Sequence, residues 1–325
     1  MTRAARPWLW PLVPGYRLAL GLRALQLRMG LKPVRRLRWQ VVSVGNLSAG
    51  GAGKTPLVIA LAKALSARGV QVDVLSRGYG RRHSVLPVLV EASGTAEAFG
   101  DEPLVIAREA QVPVYVADER YEAGLLAERS APSGFGLHLL DDGFQHRQLA
   151  RDADILLLSS EDLRDHLLPA GNLREALRAA ERASVIAIPA DEPEVAEWVK
   201  ARGWKGTVWR VRRQMDVPPI EGPVVAFCGI ARPEQFFRGL EAGGLHLAAR
   251  FAFPDHHRYT AGDLERVTLA AREAGATAVL TTEKDLVRLG AMSASLPILT
   301  VPLRIEIDDE RAAIDWLIRT MGDSA

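Results

Sequence analysis

The stretch VGNLSAGGAGKTP, residues 44–56, limits the fold of this chain more than any other. It places three of its four glycines and one lysine between an apolar run, WQVVSVG, and TPLVIALAKALSARG. The first run is β-branched and reads as a short buried strand. The second brings Leu57, Leu61 and Leu65 round at four-residue spacing and stops at Gly69, which reads as a helix. A glycine turn that joins a buried strand to a helix opening on Lys-Thr has one strong physical use. Bare backbone lets successive N–H groups curl around phosphate oxygens, and the helix N-terminus adds its dipole. Residues Ser48, Ala49, Gly50, Gly51, Ala52, Gly53, Lys54 and Thr55 are therefore the candidate nucleotide cradle. Lys54 would bridge the β- and γ-phosphates and the Thr55 hydroxyl would ligate Mg²⁺. Ser48 stands where the strict pattern has glycine, so the mouth of the loop is altered.

A second signal agrees with the first. In FGLHLLDDGFQH a strand over Leu137–Leu140 runs into Asp141 and Asp142. Carboxylates at the C-terminal end of a buried strand are where such a fold keeps its magnesium and water ligands. Many strands also end in Asp-Asp-Gly turns; with the glycine loop ahead of it, the pair reads as metal-binding. VQVDVLS, LPVLV, VPVYV, ADILLLS and SVIAIP supply further strands, with helical stretches between several. The expected fold is α/β: a P-loop NTPase-like, doubly wound, mainly parallel sheet. QMDVPPIEGP then breaks the pattern, and VVAFCGI, LHLAARFAF, ATAVLTT and LPILTVPL follow as strands of a second, smaller α/β lobe. The expected boundaries are 1–38 for an N-terminal segment, 39–213 for the P-loop core, 214–222 for a linker and 223–325 for the second lobe.

Three further stretches carry candidate chemistry. In GDEP, Asp101 serves either as a helix N-cap or as a general base for an attacking hydroxyl. In FPDHHRYT, His256 and His257 either cap the following helix or include a histidine tuned by a carboxylate; no third metal ligand lies at useful spacing. In LSRGYGRR, Arg77 either meets a phosphate or belongs to a solvated turn. TTEKDLVRL imitates a guanine-reading N-K-x-D but sets its aspartate one position early, which argues against a GTPase. Cys228 is the single cysteine, so no intramolecular disulfide or cysteine metal site exists; its apolar setting reads as a buried, inert thiol.

Charge is strongly polarised along the chain. No acidic residue precedes Asp73, whereas twelve Lys and Arg do; the remainder holds 29 basic against 39 acidic residues. Leu18, Leu22, Leu25 and Met29 share one face of an expected helix over residues 16–29, with Arg17, Arg28 and Lys32 on an adjoining stripe. Prolines 7, 11 and 14 are expected to keep the preceding residues out of it. The segment is too interrupted by arginine to span a bilayer and has no small-residue cleavage site. It reads as an interfacial helix, leucines in the acyl boundary and arginines on lipid phosphates, with Trp8 and Trp10 at headgroup level. The alternative is a helix packed on its own domain. Nucleic acid would find no use for the apolar face.

Together and in this order, SVGNLSAGGAGKTP, SRGYGR, GDEP, LLDDGFQHR, GIARPEQF, FPDHHRYT and TTEKD resemble the tetraacyldisaccharide 4′-kinase (lipid A 4′-kinase) family. The resemblance spans residues 43–285, and serine at position 48 belongs to it. It implies transfer of the ATP γ-phosphate to the 4′-hydroxyl of a tetraacylated disaccharide 1-phosphate, giving lipid IV-A, with ATP and Mg²⁺ as cofactors. It also implies a peripheral enzyme on the cytoplasmic face of the bacterial inner membrane; no obligate protein partner is inferred. Lys54 and Thr55 match its nucleotide positions, and Asp141 and Asp142 its acidic pair. Asp101 matches its catalytic base and His256 the supporting partner, with Arg77, Tyr79 and Glu102 as further substrate-site positions. A membrane-docked NTPase switch leaves Asp101 and His256 without a task; a soluble kinase for a small metabolite leaves the leucine-arginine helix unexplained.

Overall fold

The computed structural model describes residues 6–51, 53–81, 86–131, 134–290, 292 and 296–322. Ala52 lies outside them. After a 3₁₀ turn over Pro7–Leu12, helix α1 spans Val13–Arg28. Here the structure departs from expectation. Pro14 sits within the first turn of α1, where its missing N–H would have no partner in any case, so the helix starts three residues early.

The strands in chain order are β1 (Gln40–Asn46), β2 (Val72–Ser76), β3 (Val88–Leu89), β4 (Val114–Val116), β5 (Leu137–Asp141), β6 (Ala153–Leu157), β7 (Val185–Pro189) and β8 (Thr207–Met215). Between them run α2 (Lys54–Ala67), α3 (Ala96–Phe99), α4 (Asp101–Ala110), α5 (Arg120–Ser130), α6 (Ser160–Arg164) and α7 (Pro193–Ala201). The smaller lobe holds β9 (Pro223–Cys228), α8 (Pro233–Ala242), β10 (His246–Ala252), α9 (Ala261–Glu273), β11 (Ala278–Thr281), α10 (Glu283–Leu289) and β12 (Ile298–Thr300). Last come β13 (Leu303–Ile307) and α11 (Glu310–Gly322).

Nine strands form one sheet in the order β13-β8-β7-β6-β1-β5-β2-β4-β3, parallel except where β13 and β3 pair at its two edges. Four form a second, all-parallel sheet, β10-β9-β11-β12. The central strands are apolar on both faces because helices cover both. Val42 and Val44 pack with Leu57, Leu61 and Leu65 of α2, whereas Val41 points the other way against Leu140 and α5. The apolar run LPILTVPL, read as one strand of the second lobe, is two strands in two sheets. Pro302, which donates no ladder hydrogen bond, separates them. Beyond it Ile305 and Ile307 pair with β8 and bury with Ala313, Ile314 and Leu317 in the main core. The second sheet therefore ends at Thr300, and residues 303–322 return to the first lobe rather than completing a lobe of 223–325.

Strand order reverses around β1, with β5 on one side and β6 on the other. The crevice beyond the carboxyl ends of these strands is the place where open α/β sheets hold ligands.

Candidate active site

A cleft of about 1550 Å³ opens at that edge, between the two lobes. Gly50, Gly51, Gly53, Lys54 and Thr55 line it, as do Arg77, Tyr79, Glu102, Asp141, Asp142 and His256. The glycine loop turns into α2 through Gly53, at φ 87°, a left-handed conformation that costs other residues far more. Ser48 is buried and its Oγ accepts from Asn46 Nδ2 at 3.0 Å, so the serine braces the loop from behind. The Ala49 N–H is given to the Asn172 carbonyl at 2.8 Å, which sets the start of the open cradle at Gly50.

Lys54 donates to Asn46 Oδ1 at 3.1 Å and lies 3.6 Å from Asp142. Arg174 grips the same aspartate with both Nη atoms, at 2.8 and 2.7 Å, and reaches Asn46 Oδ1 at 2.7 Å. Burial raises the Asp142 carboxyl, but Lys54 and Arg174 outweigh it and hold the group well below the usual carboxylate range. Asp141 is the opposite case. It is 1% exposed, and neither carboxylate oxygen has a hydrogen-bond partner. Burial, with the charges of Glu102 and Asp142 beside it, pushes it up to about 7. Among the described residues no group of three or more His, Cys, Asp or Glu gathers around a common metal position.

The acceptor side is built at the joint between lobes, where α4 packs on α10. Asp101 opens α4 as its first residue, with Gly100 in the N-cap place, so capping is not its task. Gly100 has φ 90° and its Cα abuts the backbone of Gly78 and Tyr79, where a side chain would collide. Asp101 Oδ1 accepts from the Glu102 N–H at 2.9 Å; Oδ2 accepts from His256 Nδ1 at 3.1 Å and Arg288 Nε at 2.8 Å. Burial raises this carboxyl, yet the His256 hydrogen bond and the Arg288 and Lys284 charges hold it well below its ordinary value. His256 in turn is raised, chiefly by its bond to Asp101. Tyr79 packs edge-on to its ring at 5.2 Å. Asp142 and His256 both adopt positive φ, 52° and 58°, a strained backbone for non-glycine residues and a frequent mark of functional positions.

The two histidines divide the two readings of their motif. His256 goes to Asp101, whereas His257 bonds Asp263 at 3.0 Å in the first turn of α9. Glu102 pairs with Lys284 of α10. Arg77 is exposed at the end of β2 and lines the cleft. Cys228 is buried, and burial pushes its thiol up, as its setting implied.

Sequence reasoning missed Asn46, Arg120, Arg174, Lys284 and Arg288. Arg120, at the start of α5, is 8% exposed in the cleft wall with no partner for its Nε. Nothing local marks it or Arg174. Lys284 and Arg288 did carry a signal, two cations one helical turn apart directly after a buried strand, hidden by comparison with a guanine motif.

The family model described as tetraacyldisaccharide-1-P 4′-kinase matches residues 5–322. A tetraacyldisaccharide 4′-kinase of Koribacter versatilis (strain Ellin345) is 44% identical over 296 residues, covering 88% of this chain and 90% of its own length. One from Anaeromyxobacter dehalogenans (strain 2CP-C) is 40% identical over 300 residues, covering 84% and 79%. The solved structure of LpxK from Aquifex aeolicus in complex with ATP has a TM-score of 0.76 to this chain at 30% identity, covering 97% of this chain and 99% of that one.

Proposed function

The chain belongs to the tetraacyldisaccharide-1-P 4′-kinase family, and we propose that its cleft performs the transfer by gripping ATP from one lobe and activating the sugar hydroxyl at the joint with the other. It is an ATP-dependent kinase of lipid A biosynthesis, placing the γ-phosphate on the 4′-hydroxyl of tetraacyldisaccharide 1-phosphate to give lipid IV-A. The observation that carries the mechanism is that Lys54 and His256 line one cleft, with His256 bonded to the buried Asp101.

Phosphoryl transfer passes through a loose transition state, so positioning and charge neutralisation do most of the work. The amides of Gly50, Gly51, Gly53, Lys54 and Thr55 cradle the phosphates, and Lys54 meets the charge that develops at the β,γ-bridge. Arg174 fixes Asp142 beside Lys54, and Asn46 Oδ1 accepts from both Arg174 and Lys54, which keeps the Lys54 ammonium aimed. The residues present fit Mg²⁺: Asp141 offers two buried, unpartnered carboxylate oxygens, and the Thr55 hydroxyl lies at the start of the neighbouring helix. The remaining ligands would be phosphate oxygens and water. When bound, the ion screens the phosphate charge that would otherwise repel an incoming oxygen.

Asp101 is filled on every side by Glu102 N–H, His256 and Arg288, whereas His256 lines the cleft. The pair therefore acts as one unit. His256 takes the hydroxyl proton late in the transfer, and Asp101 stabilises the imidazolium from behind. Because Asp101 belongs to the first lobe and His256 to the second, the base is complete only when the lobes meet.

The helix α1 presents the substrate's surface. Val13, Tyr16 and Leu20 pack on the core, and Tyr16 Oη donates to the Arg174 carbonyl at 2.9 Å. Leu18, Leu22, Leu25 and Met29 are each at least half exposed, with Trp8 and Trp10 beyond them. No described helix is long and apolar enough to cross a membrane. Such a face suits the anionic inner surface of a bilayer, where a four-chain lipid resides.

Label transfer from γ-labelled ATP to the acylated disaccharide phosphate tests the function. Release of free phosphate alone would favour the switch-like NTPase instead. Replacing Leu18, Leu22 and Leu25 by Gln should weaken co-sedimentation with anionic vesicles by about a hundredfold, since each exposed leucine contributes on the order of 1 kcal/mol when half its surface is buried. Undiminished sedimentation would remove α1 from this role.

A further inference from the structure

Arg288 is the least exposed cation at the joint, with 7% of its side chain accessible, and no part of the transfer described above uses it. Its planar fork is divided between the lobes. Nη1 is committed within the second lobe, donating to the Gly229 carbonyl at 2.6 Å and to Asp285 Oδ1 at 2.9 Å. Asp285 is itself fully buried and fixed by the Gly229 N–H, the Tyr259 hydroxyl and the Thr282 hydroxyl. The opposite edge, Nε and Nη2, points across the joint onto Asp101 Oδ2, and Nη2 lies 3.3 Å from His256 Nδ1. A guanidinium offers five donors in a rigid plane, so gripping one lobe with one edge fixes where the other edge points.

We propose that Arg288 is a positioning residue for the Asp101–His256 pair: it sets the carboxylate's orientation and supplies the fixed positive charge against which the pair holds its proton. This rests on the reading of that pair as the proton acceptor. Around Asp101 stand His256 and Asp255 from the loop after β10, Lys284 and Arg288 from α10, and Glu102 beside it on α4. Lys284 is engaged by Glu102, which leaves Arg288 as the cation in direct contact with Asp101. With that charge removed the pair binds its proton more tightly. The acid limb of the rate profile then moves to higher pH, while the glycine loop, to which Arg288 makes no hydrogen bond, is untouched.

The test is the pH profile of kcat for the full-length protein with Arg288→Gln and Arg288→Lys. With Arg288→Gln, kcat falls roughly tenfold to a hundredfold, the scale of a small misplacement of a reacting group. KM for ATP stays within about threefold while the acid limb rises by about 1 to 3 pH units, the usual effect of deleting an adjacent opposite charge. Arg288→Lys, which keeps the charge without the fork, returns the limb to its original position and recovers part of kcat. An unmoved limb in Arg288→Gln, with or without a loss of activity, overturns the proposal. Should that variant fail to fold, Arg288→Met, which keeps the packing of the stem, is read by the same profile; failure of both neutral variants makes Arg288 a structural bridge and also overturns it. Asp101→Asn separates the two levels. Near-normal turnover there removes the pair as the base, whereas a crippled Asp101→Asn beside a normal Arg288→Gln removes Arg288 alone.

Discussion

Asp141 and Asp101 are two carboxylates buried to nearly the same degree at one cleft, Asp141 in its lining and Asp101 behind the lining residue His256, and they titrate in opposite directions. Asp141, 1% exposed at the end of β5, has no partner for either oxygen and is pushed up to about 7. Asp101, 5% exposed at the start of α4, takes hydrogen bonds on both oxygens and is held below the ordinary range. Burial penalises both charges alike, so depth is not the cause. What differs is whether the fold itself supplies the cation. For Asp101 it does, through Arg288 of the second lobe. For Asp141 the charges of Lys54 and Lys284 are outweighed by burial and by Glu102 and Asp142, neither oxygen has a hydrogen-bond partner, and the charge suits a cation that arrives with the nucleotide.

If the comparison is right, removing each charge has a different signature. The largest effect belongs to Asp101. Asp101→Asn lowers kcat by about 10² to 10⁴, the range for loss of a general base or its partner. It also lowers the melting temperature, because the buried Arg288 loses one of its two carboxylate partners and keeps only Asp285. Label transfer and thermal melts check both; a mutant that keeps its turnover and its stability would undo the contrast at once.

Asp141→Asn inverts the stability result. Without metal, removing a charge that nothing in the fold satisfies leaves the melting temperature unchanged or raises it. Activity falls all the same, and the magnesium concentration needed for half-maximal rate rises by about tenfold or more. Melts in chelator set beside a magnesium titration of kcat decide the matter. A metal-free Asp141→Asn that melts well below the parent would mean Asp141 is structurally satisfied after all.

The two walls also differ in how plainly the sequence announces them. The nucleotide wall is written locally: strand, glycine turn, Lys-Thr and helix are contiguous, and the acidic pair is marked by the strand that it ends. Local backbone geometry forces such a pattern, so it survives reading without the fold. The acceptor wall is assembled from α4, the loop after β10 and α10, more than 150 residues apart in the chain, and only the family resemblance linked Asp101 to His256. Arg288 and Lys284 meet their partners only because two lobes pack, which no local period records. The return of the chain to the first sheet escaped for a similar reason. Trp209 and Val211 alternate with polar neighbours in β8, a clear strand signal, but its partner β13 was hidden in an apolar run that Pro302 divides between sheets. Its pairing, not its composition, decides which lobe it joins.

A third buried carboxylate fills the interval between the two extremes. Asp73 of β2 is 3% exposed and burial raises it, as with Asp141, but it has a partner in the fully buried His138 of β5 at 2.7 Å. The partner is a cation only while protonated. Burial opposes that charge, yet Asp73 on one side and Glu128, 3.6 Å from the other ring nitrogen, push His138 up to about 8. In the unfolded chain a histidine titrates near 6.5, so the folded state binds the proton more tightly. The stability it contributes is fully present below about pH 6.5 and is lost as pH rises through about 8, a change of roughly 2 kcal/mol at 1.36 kcal/mol per pH unit. His138→Gln should be less stable than the parent at pH 6 and should flatten the slope between 6.5 and 8, with activity at fixed pH little changed because the ring does not line the cleft. Urea unfolding at a series of pH values measures it. Parallel slopes in parent and variant would show that Asp73 is satisfied without the proton, and the graded series from fixed cation to titratable cation to none would lose its middle member.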